Sequence, residues 1–141
     1  MIAERSVVVR TGVELAGPLA VVVATYLFFA GHNQPGGGFS AGLVLGAVVA
    51  LRLVVGLWCP RRPMLLLGVG GLIAGAVAIA PVLIGEELLD QVVVSGEFPL
   101  LGTVKSGSAL LFDLGVTLIV VGLVLSVLLA LGADELGGDR P

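Results

Sequence analysis

The sequence predicts an all-α, polytopic membrane protein: four transmembrane helices in a single membrane domain over residues 1–141, with both termini cytoplasmic. Three observations lead there. Hydrophobic residues make up 57% of the 141, and the mean hydropathy is +1.16, far above that of a soluble domain. Apolar runs of roughly 20 residues, the length that crosses a bilayer core as helix, occur four times. The short apolar core of a cleavable signal peptide does not describe the first of them.

The first span covers about 7–30 and carries Pro18 well inside it. Proline lacks the N–H that would meet the carbonyl of Glu14, which favours a kink. The polar, helix-breaking stretch GHNQPGGGF (31–39) then turns the first two spans into a hairpin, with the turn at 31–35. Gly31 suits a left-handed helix end, Asn33 or a neighbour suits a cap, and Pro35 suits a first turn. Gly36, Gly37 and Gly38 let other backbones approach closely.

The second span covers about 36–58, the third 64–84 and the fourth 107–131. Between the last two lies an acidic segment, 85–106, broken by Gly85, Gly96, Pro99 and Gly102. It reads as a short interfacial turn of helix or strand rather than a span. Its Glu86, Glu87, Asp90 and Glu97 either raise the local cation concentration or simply form a solvated face. A polar tail fills 132–141.

Charge placement sets the expected orientation. Arg5, Arg10, Arg52, Arg61, Arg62 and Arg140 all fall on the side of the termini, and Lys105 alone falls on the other. The positive-inside rule therefore puts the 31–35 turn and the acidic segment outside.

Composition also excludes function classes. One cysteine, Cys59, allows neither an internal disulfide nor a thiolate metal cluster. No cofactor or metal is expected, and His32, the one histidine, cannot build a metal site with the ligands present. A net charge of −3 without a basic stripe argues against nucleic acid. Ser/His/Asp order, HExxH and phosphate-cradling glycine loops do not occur, so an enzyme has little support. The first half's glycine-rich hairpin has no counterpart in the second half, so the inverted repeat of a self-sufficient transporter is missing.

Small residues mark helix-packing faces: Gly38, Gly42 and Gly46 on the second span, Gly71 and Gly75 on the third, and Gly122 with Ser126 on the fourth. Two charges in the first hairpin match in depth. Glu14 lies nine positions beyond Arg5, and Arg52 nine before Arg61. Their numbers sum to 66, as facing positions do in a hairpin that closes between Gly31 and Pro35. They are the candidates for an intramembrane ion pair or a water-bridged contact. The competing arrangement pairs Glu14 with Arg10, one turn away, while Arg52 snorkels. Asp113 is the other intramembrane charge, eight residues after Lys105 and so about 12 Å along the last helix. The start of the second helix favours a carboxylate there. Asp113 is then either a stop on a cation or proton path, or a structural carboxylate that fastens the hairpin or a neighbouring subunit.

The runs YLFFAGHNQPGGGFSAGLVLGA (26–47), FPLLGTVKSGSALLFDLGV (98–116) and VVG (120–122) resemble the small B subunit of the multisubunit Mrp/Mnh-type cation/proton antiporters. Both long blocks match in order, and the resemblance covers most of the chain. It implies a multisubunit complex in a bacterial or archaeal cell membrane, in which proton entry drives sodium export. It implies partners among the other subunits, including large complex I-like membrane subunits, besides lipid. By motif match, the sensitive positions are His32, Pro35, Gly36, Gly37, Gly38, Phe39 and Asp113. The alternative is an autonomous homo-oligomeric small cation channel or transporter, with Asp113 repeated in a ring. A third reading is a structural membrane anchor.

Overall fold

The computed structural model describes residues 7–31, 35–58, 62–83, 85, 93–98 and 102–132, with backbone alone over 93–98 and 102–107. Among the described residues four helices form: α1 (Val7–Ala30), α2 (Gly38–Val54), α3 (Pro63–Leu83) and α4 (Ser108–Ala130). α1, α3 and α4 are each long and apolar enough to cross a membrane, whereas α2, with 17 residues, is a shorter apolar helix. α1 continues through Pro18, and α3 opens on Pro63, where a missing N–H costs nothing.

The acidic segment contributes a two-stranded antiparallel hairpin rather than a turn of helix. Strand β1 (Val93–Phe98) pairs with β2 (Gly102–Gly107), and Ser95 faces Lys105 in the register. Glu86, Glu87 and Asp90 lie outside the described residues.

At the first turn the details differ from expectation. The left-handed glycine is Gly37 (φ 96°), not Gly31, and α2 starts at Gly38, so Pro35 belongs to the turn. The cap position is Gly37 itself, and no side chain caps it. Crowding keeps position 31 free of a side chain. Gly31 lies so close to Gly36 and Gly37 that a side chain there would overlap the Gly37 backbone. The Gly37 N–H donates to Leu27 O (2.8 Å), which closes the hairpin. α2 ends in paired reverse bonds, Gly56 N–H to Leu53 O and Leu57 N–H to Arg52 O, with Gly56 at φ 72°. Glycine adopts that left-handed conformation without the penalty a side chain brings.

The helices sit side by side in the order α1, α2, α4, α3, because the extensive contacts run between those neighbours. α4 is therefore central and α1 peripheral. Leu53 and Leu125 are wholly buried, among Val49, Leu66, Val121, Leu128 and Leu129. α1 leaves Leu15 and Leu19 about 70% exposed, which lipid tolerates because its tails are as apolar as leucine.

Close helix approach comes from glycine. A Cβ at Gly38 would strike the Asp113 carbonyl oxygen, one at Gly42 would stand 2.8 Å from Val120 Cβ, and one at Gly46 3.1 Å from Val124 Cγ2. On the other side of α4, a Cβ at Gly122 would stand 2.8 Å from Leu67 N, and one at Gly70 2.6 Å from Gly115 O. A Cβ at Gly71 or Gly75 would meet nothing within 4 Å outside its own helix. Each residue turns the helix by about 100°, so Gly71 faces away from the α4 contact that its neighbour Gly70 makes.

Gly38→Ala should therefore destabilise the purified chain in detergent by about 1–3 kcal/mol, read as a lowered thermal midpoint. Gly71→Ala in the same preparation should change it by less than about 0.5 kcal/mol.

Candidate functional site at the α2 end

Asp113 is the sixth residue of α4, and its backbone lies directly against Gly38, the first residue of α2. The absent side chains of Gly37 and Gly38 make this contact possible. Asp113 Oδ2 lies 3.5 Å, and Oδ1 3.8 Å, from where a Cβ on Gly37 would stand. The carboxylate therefore rests beside the amino end of α2, where unsatisfied N–H groups and the helix dipole favour negative charge. Among the described residues no hydrogen bond or ion pair engages that carboxylate.

One hydroxyl fastens the junction. Thr117, one turn after Asp113 and buried, donates to Gly38 O at 2.9 Å and also lies 2.8 Å from Asp113 O. A hydroxyl has one proton, so the two carbonyls share it. Ser40 Oγ donates to Gly37 O at 3.0 Å, within the first turn of α2. Thr117 was not among the residues singled out from sequence. Its place four residues after Asp113, on the same helix face, was the available signal.

The hairpin residues divide by exposure. Gly37 and Gly38 are buried, while Pro35, Gly36 and Phe39 are exposed, Phe39 at 60%. His32 lies outside the described residues.

A direct Glu14–Arg52 ion pair is not formed. Glu14 Oε1 instead accepts from Arg10 Nε at 3.3 Å, on a solvent- or lipid-facing flank of α1. Arg52 does reach across to α1, but it meets Gly17, where a Cβ would stand 2.8 Å from Nη2. The reason is local. Arg10 is one helical turn from Glu14 on its own helix, whereas Arg52 finds room where α1 lacks a side chain, one turn further along.

These features define a class: a small multipass helical membrane protein, packed through glycine, with a single carboxylate seated on a helix end near one membrane face. The family described as a domain related to the MnhB subunit of Na+/H+ antiporter matches residues 8–126. The chain is 37% identical over 138 residues to the mnhB2 antiporter subunit of Staphylococcus haemolyticus (strain JCSC1435), covering 94% of this chain and 98% of that one. It is 34% identical over the same length to the mnhB2 antiporter subunit of Staphylococcus aureus (strain Newman). Its fold resembles part of a chain in the structure of the Mrp complex from Dietzia sp. DQ12-45-1b, with a TM-score of 0.76, 29% identity and 96% of this chain covered. That match spans 15% of the Dietzia chain, so the same fold there is a segment of a much longer polypeptide. The chain belongs to the MnhB family of antiporter subunits.

Thr117→Val keeps the shape and removes the shared proton. It should cost about 1 kcal/mol, measured as a lower thermal midpoint, while Thr117→Ser should retain most of the stability.

Proposed function

We propose that this chain, a small membrane subunit of a multisubunit cation/proton antiporter, both holds the assembly together and places Asp113 on the ion path of the complex. The position of the carboxylate carries the reading: it is half-buried, beside the amino end of α2, and without a partner among the described residues. A carboxylate so placed has lone pairs free for a passing cation or proton. One carboxylate cannot relay protons across a bilayer. The complete path must therefore run through partner subunits, and sodium and protons are the transported species of the whole complex.

Family membership favours this over an autonomous homo-oligomeric channel. Localisation follows as a bacterial or archaeal cell membrane, with both termini cytoplasmic and the GHNQPGGGF turn outside, as the arginine distribution implies. A second reading has its own observation. The Asp113 backbone packs against Gly38, so the carboxylate is alternatively a fastening for the hairpin.

Substitution separates the two. Under the first reading, Asp113→Asn should lower sodium/proton exchange in inverted vesicles by about tenfold or more while the full set of subunits still copurifies. Loss of the complex itself would make the residue structural.

A further inference from the structure

Arg52 is a cation in the last turn of α2 that no carboxylate pairs with among the described residues. Its guanidinium lies against Gly17 of α1, and among the described residues it has neither an ion pair nor a side-chain hydrogen bond. Glu14, one turn from Gly17 on α1, is engaged by Arg10.

Its depth makes this costly. With the hairpin end of α1 and α2 at one face of the hydrocarbon, Gly17 lies thirteen residues below Ala30, and Arg52 fourteen below Gly38. At about 1.5 Å per residue both are about 20 Å down, which leaves about 10 Å of a roughly 30 Å core beneath them. The two independent counts agree. The guanidinium has therefore not extended toward the far headgroups, as a snorkelling arginine does. It lies sideways at its own depth, in the notch left by Gly17.

The seam between α1 and α2 is also incompletely filled there. A groove of about 260 Å³, bordered by Gly17 and lined by small or apolar side chains including Gly12, Ala16, Val48 and Leu51, opens between the two helices. Small residues on such a face admit a helix backbone closely.

We propose that a membrane helix of a partner subunit seats on the α1–α2 seam and supplies a carboxylate to Arg52. Charge complementarity selects this occupant over lipid. Phospholipid phosphates lie outside the hydrocarbon core, about 10 Å from the guanidinium, whereas an Asp or Glu on an adjacent helix can reach any depth. The pairing offsets the cost of both intramembrane charges, and neither subunit carries that cost alone once assembled. Gly17 acts as a positioning residue, because any side chain there displaces the guanidinium. The proposal rests on the chain being a subunit of a complex.

The test uses the tagged chain in its native complex, purified in mild detergent, with every copurifying subunit quantified. The unmodified chain should bring down its partners; if it brings down none, the subunit reading itself fails. Arg52→Gln should reduce recovery of a partner by about tenfold at unchanged membrane level of the chain. Arg52→Lys should retain more, and Ala16→Trp, which fills the groove, should also reduce recovery. Full partner recovery with both Arg52→Gln and Ala16→Trp would overturn the proposal. A photoreactive residue at Leu51, with Arg52 intact, gives a readout that does not depend on the variants inserting normally. Crosslinking to a partner peptide that contains Asp or Glu supports the site, and crosslinking to lipid alone overturns it.

Discussion

The contact between the amino end of α2 and the Asp113 turn of α4 is the constraint on which the rest of the structure depends. Two glycines in sequence allow it: Gly37 with a positive φ and Gly38 with a backbone pressed against another backbone. Thr117 ties the same spot with a shared proton. This joins the first hairpin to the last helix, 79 residues away in sequence at the Thr117–Gly38 bond. The carboxylate reaches the helix end because that join exists. Fold and candidate site are therefore one arrangement.

From that anchor the packing runs down α4 on two sides. Gly42 and Gly46 bring α2 close along one side, and Gly70, Gly115 and Gly122 bring α3 close along the other. In lipid, burying leucine gains little, because lipid tails are as apolar as the helix surface. Close van der Waals approach and a few hydrogen bonds then decide which helices touch. α1 is held mainly through α2, by the Gly37–Leu27 bond at the turn and by Arg52 over Gly17 further down. A peripheral helix with apolar residues exposed suits a chain that functions among other subunits.

Much of this was legible in the residues. The four helices start and stop within a few positions of the expected spans, because proline, glycine and charge mark boundaries locally. The identity of the left-handed glycine was not legible. Four glycines in the stretch compete for the role, and only the closed turn shows that Gly37 takes it. Hairpin arithmetic put Arg52 on the correct stretch of α1 but matched it to Glu14 instead of Gly17. Depth counting fixes height only to within about one helical turn, and the space left by a missing side chain decides where in that turn the arginine rests.

By itself the sequence determined the environment, the helices and their order along the chain, and the nearness of Asp113 to the hairpin end. Span length, hydropathy and breaking residues are local properties, and depth follows from counting. The tertiary structure alone decided that α4 is central, that Gly70 rather than Gly71 makes the α3 contact with α4, and that Arg52 lies in the Gly17 notch. A membrane helix such as α4 is apolar around its whole circumference, so periodicity carries no record of which face turns inward. That choice is made by shape, where a missing side chain on one helix meets the backbone or side chain of another.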